Sequence, residues 1–322
     1  MLVGVDIGGT KILAAVVTPQ GEILAREKRA TVAEEGPEAV ISRLIAAIEA
    51  ALSLAGTEPA RLAAIGIAVA GIAIPGEGVV AFSPNLRGWR DVPLRDIVAR
   101  QLGVSTFLIN DASAAALGEH CYGAGRGVNN LVYVTVGTGI GGGVIIDGKL
   151  YCGACGVAGE VGHMTIDADG PRCSCGNFGC LEALASGTAV AREAKRHVAE
   201  GAETCLPQLV GGELEMITAE TVFQAAQKGD PLALEVIAQA ASYLGIGLAN
   251  LVNLFNPELI IVGGGLAHMG NMLLSPALRV IRERAFEVPA QAVRLVTAQL
   301  GGSSGVLGAV AFALQQEAEV RP

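Results

Sequence analysis

The sequence predicts two α/β domains, each opening on a β-meander whose first turn is rich in glycine. Three observations carry this. The 322 residues suit two domains of about 150 each. Two apolar runs, Leu2–Ile7 and Ile12–Thr18, are joined by Gly8-Gly9-Thr10-Lys11, and a Pro19-Gln20-Gly21 turn leads to a third. That opening then recurs: Leu131–Val136, Gly137-Thr138-Gly139, Ile140–Ile146, an Asp147-Gly148 turn and Lys149–Leu150. Val5-Asp6-Ile7-Gly8 aligns with Val134-Thr135-Val136-Gly137 at an offset of 129. Two such domains would face one ligand across a cleft, their turns leaving backbone N–H groups for phosphate oxygens.

The remaining elements follow in order. Pro37–Gly56 carries Ile41, Leu44, Ile45, Ile48 and Leu52 at helical spacing, with proline at its start and glycine past its end, which predicts a helix. Ala63–Ala70 and Val104–Asn110 read as buried strands, and Val92–Leu102 between them as a helix. After the second meander the chain is mostly helical, with helices expected at Thr188–Glu200, Thr218–Lys228, Leu232–Phe255 and Asn271–Phe286. One buried strand, Leu259–Val262, interrupts them and ends in Gly263-Gly264-Gly265. No low-complexity linker separates the halves.

Composition excludes several classes. The 22 basic and 31 acidic residues give a net charge of −9, the wrong sign for a nucleic-acid partner. With 51% hydrophobic residues and a mean hydropathy of +0.50, the chain can build a large core. Val236–Pro257 is uncharged and long enough to span a membrane, but Gln239, Ser242, Tyr243, Asn250, Asn253 and Asn256 suit a buried helix better. MLVGVDIGGTK has no basic n-region and carries Asp6 where a signal peptide would be apolar, so no export is expected. Seven cysteines, three of them within Cys173–Cys180, have metal spacing and fit a reducing compartment rather than a disulfide framework. The chain therefore reads as cytoplasmic, with no membrane partner.

Each motif has an ordinary structural reading as well as a chemical one. Gly137-Thr138-Gly139-Ile140-Gly141-Gly142 satisfies GxGxxG, yet a strand follows it where a dinucleotide fold needs a helix. Gly8-Gly9-Thr10-Lys11 lacks the Gly-Lys-Thr order of a P-loop. A lone glycine turn is usually structural, but three of them leaving strands favour phosphate. Cys173, Cys175 and Cys180 with His163 supply three thiolates and an imidazole, the set that closes a structural zinc site. Buried free thiols beside an unrelated histidine are the alternative. Cys152 and Cys155 form a competing C-x-x-C without a second close pair and are taken as incidental. Asn110-Asp111 ends a strand where a helix, Ala112–Glu119, begins. Asp111 is then either the N-cap or a carboxylate at the strand end where open α/β sheets place ligands. Glu160 and Glu182 flank the metal segment, and solvated loop acids are their plain alternative.

Taken together, these segments carry a resemblance. Asp6-Ile-Gly-Gly-Thr-Lys11, Pro84-Asn85-Leu86 with Trp89, Asn110-Asp111 through Glu119, Gly137-Thr-Gly-Ile-Gly-Gly-Gly143, Gly159-Glu-Val-Gly-His-Met164 and Cys173 through Glu182 resemble the ROK family of bacterial sugar kinases and repressors, zinc-containing members included. The resemblance implies two actin-like, ribonuclease-H-like α/β domains with a cleft between them. The smaller would hold 1–110 plus about 305–322, and the larger 111–304 with the zinc segment 163–180. It implies ATP-dependent phosphorylation of a hexose, glucose first, at the 6-hydroxyl, with Mg²⁺. Asp111 would be the general base. Asn85, Asn110, Asp111, Glu160, His163 and Glu182 would meet the sugar, and His163 would also bind structural Zn²⁺ with Cys173, Cys175 and Cys180. Asp6 would sit near magnesium, with Gly8, Gly9, Thr10, Lys11, Gly137, Thr138, Gly139, Gly263, Gly264 and Gly265 along the nucleotide. A homo-oligomer, dimer or tetramer, is implied too.

Ser113 stands where the family usually has a second asparagine, and Ile72 leaves a 2-hydroxyl and a 2-acetamido sugar undistinguished. N-acetylmannosamine kinase and fructokinase activities remain the alternatives within the family. A sugar-sensing regulator is another, although its DNA-binding region of about 60 residues would precede a first strand that here starts at Val3. A filament-forming actin-like protein would need neither the zinc segment nor the acids around it.

Overall fold

Alternation and punctuation shape the chain as expected in most places. The computed structural model describes residues 1–320. In chain order these form β1 (Leu2–Ile7), β2 (Lys11–Val17), β3 (Ile23–Ala30), α1 (Pro37–Leu54), β4 (Ile65–Val69), β5 (Ile72–Ile74), β6 (Val79–Phe82), β7 (Arg90–Val92), α2 (Leu94–Leu102), β8 (Thr106–Asn110) and α3 (Asp111–Tyr122). Then come β9 (Leu131–Val136), β10 (Ile140–Ile146), β11 (Lys149–Leu150), α4 (Leu181–Ala185), α5 (Gly187–Ala199), α6 (Leu206–Leu209), α7 (Ala219–Gln227) and α8 (Pro231–Phe255). The chain closes with β12 (Leu259–Gly263), α9 (Asn271–Arg284), α10 (Glu287–Ala292), β13 (Arg294–Thr297) and α11 (Ser304–Val320).

Two five-stranded sheets share one strand order, β3-β2-β1-β4-β8 and β11-β10-β9-β12-β13. The repeat is therefore a repeat of topology. β9 starts and ends 129 positions after β1, and β10 stands in the same relation to β2. In the first sheet β1 runs antiparallel to β2 and parallel to β4, which is parallel to β8. In the second, β12 lies parallel to both β9 and β13. A third, three-stranded sheet of β5, β6 and β7 has no counterpart in the sequence reading. Its strands are three or four residues long, too short for a period-2 signal.

The chain divides into two compact units. The first comprises Met1–Asn129, Gly143–Gly159 and the chain from Gln299 onward; the second comprises Asn130–Gly142 and Glu160–Ala298. The sequence reading started the larger domain at 111, whereas α3 belongs to the first unit. Its partner is α11, and the two meet backbone to backbone: a Cβ on Gly308 would lie 1.6 Å from the Ala114 carbonyl oxygen. Of the segment expected at about 305–322, residues 321 and 322 lie outside the described residues.

In the first unit, α1 buries Val40, Leu44, Ile48 and Leu52 against one face of the sheet, where β1 presents Val3, Val5 and Ile7. The other face holds Leu2 and Ala15 against Val306 and Val310 of α11. Gly4 and Gly66 pair in register across β1 and β4 and form the slot for that helix. A Cβ on Gly66 would stand 1.9 Å from the Ala309 carbonyl oxygen. A glycine inside a strand commonly marks such a backbone approach. Gly66→Ala should lift α11 off the sheet and cost about 3 kcal/mol or more, the upper range for overpacking. A thermal melt showing no loss of stability would contradict this packing.

In the second unit, α8 is the one helix among the described residues long and apolar enough to cross a membrane. Of its apolar window 61% is buried inside the structure, so the helix serves as core. Its ends are marked by caps and a proline. Asp230 caps the start by accepting Ala233 N at 3.0 Å, Pro231 is the first helical residue, and Asn256 takes a left-handed φ of 44° at the end.

Candidate active site

The first glycine turn is held by its neighbours. Gly8 N donates to Lys11 O at 2.9 Å, closing the β1–β2 hairpin. Thr31, fully buried at the end of β3, donates its hydroxyl to Gly8 O at 2.7 Å, and its N–H meets Thr10 O. No sequence signal singled out Thr31, because its role rests on strand pairing rather than on a motif. Asn85 lies on the other side of the turn: its carbonyl oxygen would be 2.9 Å from a Cβ on Gly9, so glycine is required there. Asp6 ends on the α11 face, with its carboxylate about 3.0 Å from where a Gly305 Cβ would be. Burial pushes the Asp6 carboxyl up from its usual range, while the Lys11 ammonium pulls it back down.

The β8–α3 corner differs from the expected cap. Asn110, not Asp111, is the N-cap: its Oδ1 accepts Ala112 N at 2.9 Å and Ser113 N at 3.0 Å. The Asn110 Nδ2 donates to Gly71 O at 3.0 Å and to Asp111 Oδ1 at 3.1 Å. Asp111 becomes the first helical residue, and its Oδ1 also accepts Ala112 N at 2.9 Å. The correction has a simple cause. Both residues accept N–H groups equally well; β8 ends at Asn110 as expected, but Asn110 itself keeps the extended conformation of a cap and the helix starts at Asp111, one residue earlier than expected. Asp111 therefore stands at the positive N-terminal end of α3. Gly71, with φ of 118°, turns its carbonyl toward Asn110 and joins the site from outside the predicted set.

In the second unit, Gly137-Thr138-Gly139 runs past the N-terminus of α5. Gly187 N donates to Gly137 O at 2.7 Å, and the Thr188 hydroxyl donates to Thr138 O at 2.8 Å. Gly264 turns back with φ of 84°, where a Cβ would be 2.5 Å from Val136 O, so the Gly263–Gly265 run lies beside this turn. Glu182 joins the turn to the cysteine segment. Its Oε2 accepts Ile140 N at 2.9 Å and its Oε1 accepts the Ser174 hydroxyl at 3.2 Å. Loss of hydration pushes the Glu160 carboxyl up; His163 lowers it and the Glu182 charge raises it again.

His163, Cys173, Cys175 and Cys180 converge, with all four donor atoms within 4.8 Å of one another. Cys175 Sγ is 3.8 Å from Cys180 Sγ, and Cys173 Sγ is 3.7 Å from His163 Nδ1. A tetrahedral ion with Zn–S bonds of about 2.3 Å separates its donors by about 3.8 Å, so the donor set fits zinc in chemistry and in size. Burial pushes the Cys180 thiol up to about 12, with Cys173 and Cys175 adding to the effect. A coordinated cation reverses that preference, because a ligating thiol is deprotonated. Cys152 and Cys155 do not join the cluster.

The predicted residues thus fall into two groups. Asp6, Gly8, Gly9, Thr10, Lys11, Asn85, Asn110 and Asp111 lie in the first unit; the other glycine turns, Glu160, Glu182 and the metal cluster lie in the second. The chain is 38% identical to a glucokinase of Thermotoga maritima, covering 97% of this chain and 96% of that protein. It is 36% identical to a xylose repressor of Caldicellulosiruptor bescii, covering 97% of this chain and 78% of that protein. Among solved structures, a ROK family glucokinase from Streptomyces griseus in complex with glucose and AMPPNP matches with a TM-score of 0.85 and 39% identity, covering 98% of this chain and 99% of that one. The fold is accordingly the actin-like one of two α/β domains. The ROK family model matches residues 2–316, and the chain belongs to the ROK family.

Proposed function

We propose that the protein is an ATP-dependent hexose kinase that phosphorylates glucose at its 6-hydroxyl. The observation that carries this reading is the likeness to the Streptomyces griseus glucokinase, which was solved with glucose and an ATP analogue and matches over nearly the whole of both chains. Phosphoryl transfer asks chiefly for positioning and charge neutralisation. Asp111, set on a helix N-terminus by the Asn110 cap, accepts the proton of the attacking hydroxyl as the bond to phosphorus forms. Asn110, Glu160, His163 and Glu182 hold the sugar, with Asn85 beside the Gly9 turn. The amides of Gly8–Lys11, Gly137–Gly139 and Gly263–Gly265 meet the nucleotide, and Asp6 stands near magnesium, which neutralises phosphate charge. Zinc held by His163, Cys173, Cys175 and Cys180 fixes the histidine ring and the segment that carries Glu182. The free cysteines support a reducing, cytoplasmic setting for the enzyme, and the family resemblance supports a dimer or tetramer.

The test is ADP release over a panel of glucose, N-acetylmannosamine and fructose, with polyphosphate as a second donor. Turnover with glucose and ATP is expected. Turnover with N-acetylmannosamine and none with glucose would reassign the substrate, and a total absence of sugar-dependent ADP release would end the kinase reading.

One local contact makes a further prediction. A Cβ on Gly139 would lie 2.3 Å from Glu182 Oε2, in the space through which that oxygen reaches Ile140 N. Gly139→Ala should displace the carboxylate and remove a hydrogen bond to a charged group, worth about 1.5–3 kcal/mol. The sugar KM should rise by about tenfold or more, and steady-state kinetics with an unchanged KM would remove Glu182 from the sugar site.

A further inference from the structure

One buried carboxylate takes no part in the site described so far. Glu119 lies two turns along α3 from Asp111 and is fully buried. Its side chain accepts four hydrogen bonds. Oε2 takes Ala124 N at 2.9 Å and Gln299 N at 3.1 Å; Oε1 takes Leu300 N at 2.8 Å and the Ser304 hydroxyl at 2.9 Å. Its backbone carbonyl accepts Gly123 N and Gly125 N as well. Gly123 makes the approach possible, since a Cβ there would be 2.1 Å from Oε2.

The identity of these donors matters more than their number. The chain passes between its units four times, and two of the passages are at Asn129–Asn130 and Ala298–Gln299. Ala124 lies on the segment leading into the first of these, while Gln299 and Leu300 are the first residues after the second. Ser304 starts α11. One carboxylate thus gathers the first-unit stems of two crossings and ties both to the helix whose first residue is Asp111. A helix needs no such tie for its own stability, and an apolar residue would pack a buried position without demanding four donors.

We propose that Glu119 is a positioning residue for phosphoryl transfer, acting by fixing these two crossing stems against the helix that begins with Asp111. The inference rests on the kinase reading above. A base and an acceptor must be held to within a fraction of an ångström, and a misplacement of about 1 Å costs up to about a hundredfold in rate. Replacing one carboxylate oxygen by an NH₂ group sets a donor against two donors, so Glu119→Gln should release a stem while nearly preserving volume.

The experiment compares wild type and Glu119→Gln by dynamics and by function. Amide hydrogen exchange by mass spectrometry reads the first; the kinetic constants for ADP release, with sugar Kd from calorimetry, read the second. Exchange should quicken by about tenfold or more in the peptides spanning 123–130 and 298–304, and stay unchanged in β1 and β4. The kcat should fall by about tenfold to a hundredfold while sugar Kd holds. Ser304→Ala, which removes one donor and keeps the carboxylate, should move the same readouts by about fivefold or less and serves if Glu119→Gln does not fold.

Faster exchange in the stems with a wild-type kcat would overturn the proposal, leaving Glu119 a structural group. A fall in kcat with unchanged stem exchange would overturn it too, as would exchange that quickens throughout the first unit. Absence of sugar-dependent ADP release from the wild type would overturn the kinase reading and the catalytic role together, with the exchange data still deciding whether Glu119 holds the stems.

Discussion

Asp111→Asn is expected to lower kcat by at least about a hundredfold, the lower end of what general base catalysis contributes. The geometry makes this variant unusually clean. Asn110 carries the cap, so the helix start does not depend on Asp111. An asparagine at 111 can still offer its Oδ1 to Ala112 N and to Asn110 Nδ2, as the aspartate does. What disappears is the charge, and with it the ability to take a proton from a hydroxyl. The stability cost should stay within about 1 kcal/mol, the value of a carboxylate at a helix N-terminus. Sugar Kd should survive, because an amide also bonds to a hydroxyl. An unchanged kcat would end the catalytic assignment of Asp111, and a large fall in melting temperature would show that the residue is structural after all.

The second large effect concerns the cysteine cluster. One zinc ion per chain is expected by elemental analysis, and chelation or Cys175→Ser should remove it. Structural zinc sites contribute on the order of 10 kcal/mol or more to the folding of small zinc domains, so the segment from His163 to Cys180 should loosen markedly. Besides the four ligands the segment is held by turn hydrogen bonds such as Ile166 N to Gly179 O and Gly179 N to Pro171 O, and two isolated bridges, Thr165 with Cys180 and Arg172 with Phe178, are its only strand pairing among the described residues. Its loosening frees Ser174, and Glu182 then keeps only the Ile140 amide. Sugar affinity and melting temperature should therefore fall together. Protein purified without metal that melts and turns over normally would refute the site, and ligands that include Cys152 or Cys155 would refute its composition.

Much of the molecule is legible in its sequence, for local reasons. The repeat was visible because each meander carries its own strand periodicity and its own glycine turn, and the two sheets do share a strand order. The Cys/His cluster is legible because Cys173, Cys175 and Cys180 fall within eight residues, a spacing suited to a common cation. The strand-to-helix corner was legible as a position, Asn110-Asp111, though not in its division of labour. Sequence could not tell which residue caps, since asparagine and aspartate are equivalent caps and the choice depends on where β8 stops being extended.

What the tertiary structure alone decided lies in contacts between distant positions. The slot that Gly4 and Gly66 open for α11, and the Ala114–Gly308 approach that gives α3 to the first unit, join residues far apart in the chain. The same holds for Glu119, whose carboxylate partners include Gln299, Leu300 and Ser304. Hydrophobic period and turn chemistry report on neighbours within a few residues, so they fix the elements and their ends. Which buried acid meets which amide is set when those elements pack, and no local pattern in the sequence records it.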